Sequence, residues 1–288
     1  MKKVVRMLGL CALVALAFTS CKKNETNGNV TFKATISQLK TDSRTHLETI
    51  NSFGWKGLYW NSDDEILLFD RTKSEDNSET FTVKTFENKE ASFEGDASFL
   101  ANLYTENNYI AFYPNATETP EGIKIEIPAN QNWGNATFED DVYPMYGFND
   151  ENGHIQFHSH AGILYLNFKL NPTEYPGDNV TIPLTSIKVR GKNANDVLSG
   201  TMVYQLDGTY MMDPATTENY VELNCSGVSL SNQARMEFII VLPEGALANG
   251  FYVDVTSVNA TKTLEAQPTL IQGETMTWMG QLDLPAGL

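Results

Sequence analysis

Short runs in which apolar and polar residues alternate with period two cover most of the chain after residue 28. In residues 30–36, Val30, Phe32, Ala34 and Ile36 would share one face of a strand. No segment keeps a helical period beyond a turn or two, for instance around residues 97–103. The pattern predicts an all-β fold of sandwiches or barrels and argues against a parallel α/β enzyme. Further strands are predicted at residues 65–69, 81–85, 109–113, 123–127, 163–170, 186–190, 201–206, 236–242, 251–255 and 276–284.

The length of 288 residues is long for one domain and leaves room for two of about 130 residues each. Residues 147–153, Gly-Phe-Asn-Asp-Glu-Asn-Gly, form the best turn-rich boundary between two halves. We therefore expect an N-terminal β-sandwich domain at residues 29–149 and a C-terminal one at residues 150–288.

The charge of the chain excludes one class of partner. Lys and Arg number 20 against 36 Asp and Glu, which gives a net charge of −16. Because nucleic-acid binding requires a basic face, we expect no nucleic-acid partner.

The N-terminus has the order of an export signal. Lys2, Lys3 and Arg6 precede an apolar run at residues 7–18, and Cys21 follows Ser20. This order resembles a bacterial lipoprotein signal, in which the Cys becomes the lipidated first residue; the alternative is ordinary secretion with an incidental Cys. We expect a signal peptide at residues 1–20, a lipidated tether at 21–28, and anchoring in outer-membrane lipid through acyl chains on Cys21.

Processing at this site would leave Cys225 as the single unmodified thiol, since Cys11 is removed and Cys21 is acylated. No intramolecular disulfide could then form, so the fold would rest on its core. The alternating context of Cys225 favours a small buried hydrophobic residue over a nucleophile.

Residues that carry catalysis or bind metals are scarce. No Gly-rich phosphate loop, Cys-x-x-Cys or His-Glu-x-x-His motif occurs. His158 and His160 would share one face of a strand, but no third ligand is evident nearby, so surface histidines are favoured over a metal site. The acidic triplets at residues 63–65 and 139–141 lack the pattern of a calcium loop and favour solvated charge. We expect no enzyme activity, cofactor or metal, although 36 acidic residues could always supply a carboxylate pair.

Several aromatic residues could stack on sugar rings, although core packing explains most of them equally well. They are Trp55, Tyr59, Trp60, Trp133, Tyr143 and Tyr146.

A series of phrases, in order over nearly the whole mature chain, resembles the fimbrillin family of Bacteroidetes surface lipoproteins. No single phrase is diagnostic, and their order carries the resemblance. It implies two transthyretin-like β-sandwich domains, a location at the cell surface or in a fimbrium, and a role as fimbrial subunit or fimbrillin-like adhesin without enzyme activity. The phrases are Ser-Arg-Thr at 43–45, Trp60 with residues 64–69, Tyr-Ile-Ala-Phe-Tyr-Pro at 109–114, Ile-Pro-Ala-Asn-Gln at 127–131 with Met145, residues 157–164, residues 186–189 before Leu-Ser-Gly at 198–200, and Phe-Ile-Ile-Val-Leu-Pro at 238–243.

The resemblance also implies assembly with other fimbrial subunits by strand exchange. In fimbrillins an Arg ahead of the second strand is cut, the first strand leaves, and a strand of another subunit fills the groove. Arg44 matches the cutting point, and residues 30–36 would be the removable strand. The alternative is a permanent first strand, with Arg44 in an ordinary loop.

The resemblance places strand donation in a C-terminal arm beyond the last domain strand. Residues 276–284 alternate as a final strand should, and only residues 285–288 follow. We therefore expect a tip or accessory subunit that accepts a strand and contacts a host or bacterial surface ligand. A surface glycan-binding lipoprotein is the main alternative, and a secreted hydrolase is a weaker one.

Overall fold

A computed structural model describes residues 29–36, 46–49, 56–87, 89–135 and 137–288. Within these ranges the regular elements are all β-strands, which confirms the predicted all-β class. No described segment is a helix with the length and apolar character needed to cross a bilayer. The signal sequence, Cys21 and Arg44 lie outside the described residues.

The N-terminal part is built on a sheet whose strand order closes on itself. Strand β1 pairs with β6 on one side and β12 on the other, so the order is β1-β12-β11-β7-β4-β5-β6. A separate pair, β2 with β3, lies outside this order. The strands are β1 Asn29–Ile36, β2 His46–Thr49, β3 Lys56–Tyr59, β4 Glu65–Asp70, β5 Ser78–Glu87, β6 Glu90–Asp96, β7 Tyr109–Tyr113, β11 Met145–Asn149 and β12 His154–His158.

A four-stranded sheet packs against this closed sheet in the order β16-β15-β9-β8. Its Tyr204 ring lies 5.5 Å from Phe112 of β7. Gly208, at the tip of the β15–β16 hairpin, has a positive φ of 85° and lies so close to Tyr146 that a Cβ there would be 2.9 Å from the ring. The strands are β8 Thr117–Thr119, β9 Gly122–Ile127, β15 Gly200–Tyr204 and β16 Tyr210–Met212.

The C-terminal part is a sandwich of two sheets around a second core. One sheet has the order β10-β17-β14-β20-β21 with β18 beside β14, and the other has the order β19-β13-β22. The strands are β10 Asn130–Asn132, β13 Ala161–Leu170, β14 Thr181–Gly191, β17 Tyr220–Asn224, β18 Ser229–Ser231, β19 Met236–Pro243, β20 Phe251–Ser257, β21 Thr261–Ala266 and β22 Met276–Leu284.

Strand β13 is covered on both faces and joins the two cores. Leu164 and Leu166 pack in the C-terminal core, whereas Ile163 and Tyr165 pack in the N-terminal core. Burial on both sides explains why the sequence of β13 is almost continuously apolar and does not alternate.

The expected domain boundary falls inside a hairpin of the closed sheet. Residues 147–149 belong to β11, and residues 150–153 form the turn that leads into β12, its antiparallel partner. The closed sheet therefore extends to His158. We propose that no single point in the sequence divides the two parts, because β10 precedes His158 and lies in the C-terminal sandwich, whereas β15 and β16 follow it and pack on the closed sheet.

Candidate functional site: the groove filled by the first strand

Strand β1 lies between β6 and β12. Asn29–Thr35 run antiparallel to β6, and Lys33–Ile36 run parallel to β12. Its first residues, 29–32, therefore pair on one side only, and the later ones on both. Without β1, the described strands β6 and β12 would present two open edges on either side of a groove.

Alternate residues of β1 enter the N-terminal core. Phe32, Ala34 and Ile36 are 3%, 0% and 2% exposed, and Val30 is half-buried against the same core. The full burial of one Phe and one Ile side chain contributes roughly 3–6 kcal/mol. Since a whole domain is stable by only about 5–15 kcal/mol, an empty groove would be costly and would need a new occupant.

One end of the groove is an aromatic pocket around Phe32. The Phe32 ring stacks on Phe93 at 5.4 Å and meets Phe81 edge-on at 5.3 Å. Gly95 permits this arrangement, because a Cβ there would lie 1.8 Å from the Phe81 ring. The pocket therefore fits an aromatic side chain, which makes one stacked and one edge-on contact with its walls.

Trp60 forms the floor of the groove. It is fully buried and touches Phe93 of β6 and Phe157 of β12 at 5.6 and 5.4 Å, so it spans the two strands that flank β1. Its indole nitrogen donates a hydrogen bond to the Lys89 carbonyl at 3.1 Å. Phe93 and Phe157 pair with Phe32 and Ile36, so Trp60 bridges the residues on either side of Ala34, the smallest inward residue of β1.

The rim of the groove is polar and acidic. Lys33 Nζ lies 2.5 Å from Glu90 Oε1, and the Asn29 side-chain amide donates to Glu94 at 2.6 Å. On the other side, Thr35 Oγ1 lies 2.6 Å from His154 Nε2. The outward residues of β1 thus meet carboxylates on the β6 side and an imidazole on the β12 side.

His158 and His160 contact different partners and do not converge on one metal position. His158 Nδ1 lies 2.9 Å from Glu274 Oε1, and this hydrogen bond raises the pKa of His158. His160 stacks between Tyr146 and Tyr210 at 5.0 and 4.4 Å. Among the described residues, no group of His, Cys, Asp or Glu side chains is arranged to hold a metal ion.

The two acidic triplets, which are far apart in sequence, meet at Tyr113. The Tyr113 hydroxyl lies 2.9 Å from Asp64 Oδ1 and 3.3 Å from Asp141 Oδ1. Burial raises the pKa of Asp64 to about 6, against the lowering effect of hydrogen bonds from the Asn61 backbone and Tyr113. Solvated charge is therefore wrong for Asp64, which is 5% exposed, although Asp63 and Asp141 are exposed.

Cys225 is fully buried, which confirms its predicted buried position, and burial raises the pKa of its thiol to about 12. Of the aromatic residues considered for sugar stacking, Trp60 and Tyr143 are buried. The Trp133 indole donates to the Glu237 carbonyl at 3.0 Å, and one face of Tyr146 is covered by His160. Trp55 lies outside the described residues.

Comparison with solved structures finds the same fold in candidate cell adhesion proteins of Bacteroides. One from Bacteroides ovatus aligns with a TM-score of 0.53 and 12% identity, covering 92% of this chain and 95% of its own. One from Bacteroides uniformis aligns with a TM-score of 0.52 and 14% identity, covering 89% and 95%. No family model and no curated protein matches the sequence. At these identities the likeness shows the fold, which agrees with the resemblance to fimbrillins.

Proposed function

We propose that this protein is a fimbrial subunit or fimbrillin-like adhesin that exchanges its first strand for the strand of another subunit. The observation that carries the proposal is the position of β1. It is the one described strand that precedes Arg44, and it completes the closed sheet between β6 and β12. The fold shared with candidate adhesion proteins of Bacteroides supports the same role.

Cleavage after Arg44 would divide the chain at a useful point. The N-terminal piece would contain β1, the tether and Cys21, and the larger piece would contain every other described strand. The lipid anchor and the strand would therefore leave together. Backbone pairing with β6 and β12 would hold the incoming strand, and the alternation of its side chains would fix the register.

We further propose a tip or accessory position for this subunit. Strand β22 is part of the C-terminal sandwich, because it pairs with β13 from Met276 opposite Ile163 to Leu284 opposite Leu170. Leu284 is fully buried. Release of β22 as a donor arm would open the C-terminal core. This subunit would therefore accept a strand in the groove left by β1 without donating β22 to a neighbour.

The proposal is tested by strand uptake after cleavage. An Arg-specific protease would be applied to the mature protein, followed by excess biotin-tagged peptide with the sequence of residues 29–36. We expect the cleaved protein to release its own strand and retain the tagged one through gel filtration. Uncleaved Arg44→Ala protein, the matched control, should retain none. Complete cleavage without uptake would contradict the proposal.

A further inference from the structure

From the depth and charge of the groove, and resting on the proposed function, we infer which strand it accepts. The incoming strand carries Ala or Gly at the central inward position, an aromatic residue two positions before it and an aliphatic one two positions after. Its central outward residue is basic. The donor is a strand of a different subunit with this pattern.

The size rule follows from the walls and floor around Ala34. Ala34 is fully buried and pairs with Ala91 of β6 on one side and Ile155 of β12 on the other. Trp60 contacts Phe93 and Phe157, which pair with Phe32 and Ile36 on either side of Ala34. A longer side chain at the central position would therefore point towards this buried indole. Because packed interiors have little spare volume, larger central residues are excluded.

The inward positions on either side of Ala34 require large side chains. Phe32 occupies an aromatic pocket bounded by Phe81 and Phe93, and a smaller residue would leave a cavity. Ile36 is 2% exposed at the end of the groove. A large, small, large succession therefore also fixes the register, since a shift by two residues would place Phe32 over Trp60.

The charge rule follows from the rim. Glu90 faces Lys33, and Glu94 faces Asn29 and Lys84. An acidic residue at the position of Lys33 would meet Glu90 directly. Because this pair is half exposed, the charge adjusts the affinity by a small factor, whereas the size rule dominates.

The chain contains a second segment that obeys the size rule. In β22, Trp278, Gly280 and Leu282 repeat the aromatic, small and aliphatic order of β1, but Met279 stands where β1 has Lys33. Strand β22 of a second copy of this chain would therefore fit the groove by size but would bring no cation to Glu90. This difference favours another subunit over self-association.

A peptide panel on the Arg44-cleaved protein tests the inference, with binding followed by fluorescence anisotropy. The peptides carry residues 29–36 unchanged, with Ala34→Leu, or with Thr31→Leu, which places the same leucine side chain at an exposed position. Ala34→Leu should weaken binding at least about tenfold, and Thr31→Leu less than about threefold. Equal binding of the two would overturn the size rule while leaving strand exchange intact. No binding of the unchanged peptide would overturn the proposed function as well.

Two further peptides test the charge rule at low and high salt. Lys33→Glu should bind roughly threefold more weakly than the unchanged peptide in 20 mM salt and recover in 0.5 M salt. The peptide of residues 275–282, which matches residues 29–36 position by position, should also bind more weakly than the unchanged one. Tighter binding of that peptide, or no effect of Lys33→Glu, would overturn the assignment to a different subunit with a basic central residue.

Discussion

The side-chain amide of Gln131 takes the place of a neighbouring strand for Val241. Its Nε2 donates to the Val241 carbonyl at 2.9 Å, and its Oε1 accepts from the Val241 backbone N–H at 3.1 Å. Val241 belongs to β19, which pairs only with β13 among the described strands. Because Gln131 pairs through its backbone with β17 of the other sheet, this one residue closes the side of the C-terminal sandwich.

Gln131→Leu should destabilise the protein by about 2–5 kcal/mol, because two buried backbone groups of Val241 lose their partners. The measurement is the free energy of unfolding from urea titration. Asn130→Leu, at an exposed position of the same strand, is the matched control and should cost less than about 0.5 kcal/mol. Equal losses in the two variants would mean that the amide does not close this edge.

The pair of His158 and Glu274 should make stability depend on pH above about 6.5. The hydrogen bond to Glu274 raises the pKa of His158 in the folded state. Its stabilisation is therefore complete below the unfolded pKa of about 6.5 and is lost as the pH rises through the folded pKa. The effect is small because His158 is 49% exposed.

Thermal unfolding of the unchanged protein and of Glu274→Gln, scanned from pH 5.5 to 8.5, measures this contribution. The Tm difference between the two proteins should be largest at pH 5.5 and shrink towards pH 8.5. A difference that does not change with pH would show that the pair contributes no pH-dependent stability.

The carboxyl group of Asp64 should make the protein less stable as the pH rises, whereas a carboxylate that gains an ion pair on folding makes it more stable. Burial raises its folded pKa to about 6 from the ordinary 3.8, so folding disfavours the charged form. The penalty is absent below pH 3.8 and grows as the pH rises to about 6. At neutral pH it amounts to on the order of 2–3 kcal/mol.

Asp64→Asn removes the charge while keeping the shape of the side chain. Urea unfolding at pH 4, 5, 6 and 7 should show a smaller loss of stability with rising pH in the variant than in the unchanged protein. Asp63→Asn, at the exposed neighbouring position, is the control. Parallel pH curves for Asp64→Asn and the unchanged protein would contradict the raised pKa.

The thiol of Cys225 should be inert in the native protein. It is fully buried, and burial raises its pKa to about 12, so both access and the thiolate fraction are low. In a soluble form that begins at Lys22, a thiol reagent at pH 8 should modify less than about 5% of the native protein while it modifies all of the unfolded protein. A Cys225→Ser, Ser226→Cys variant, with the thiol at the exposed next position, should react fully in the native state. Rapid native labelling of Cys225 would contradict the buried assignment.

The local alternation of apolar and polar residues predicts individual strands, but it does not predict which distant strands pair with each other. Residues 30–36 and 123–127 alternate in sequence and form β1 and β9. The closure of the sheet joins Lys33 to His154, and such a long-range register is set by the whole core. Strand β6, Glu-Ala-Ser-Phe-Glu-Gly-Asp, was not among the predicted strands, because its Glu and Gly residues weaken the β signal.

The candidate site was predictable in part. The inward face of β1 follows from period-two alternation, whereas the floor formed by Trp60 does not, since nothing in the sequence links residue 60 to residues 32–36. The burial of Asp64 was missed because three consecutive acidic residues are typical of a solvated loop. Its hydrogen-bond partner Tyr113 lies 49 residues away in sequence.

Immunogold electron microscopy of the producing cells, with an antibody against the C-terminal sandwich, tests the central claim most directly. That sandwich remains in the protein after cleavage at Arg44, so the label reports the assembled subunit. The account predicts gold particles on fimbriae, concentrated at their free tips. Gold along the whole shaft would contradict the tip assignment, and gold confined to the cell envelope, away from any fimbria, would contradict a fimbrial role.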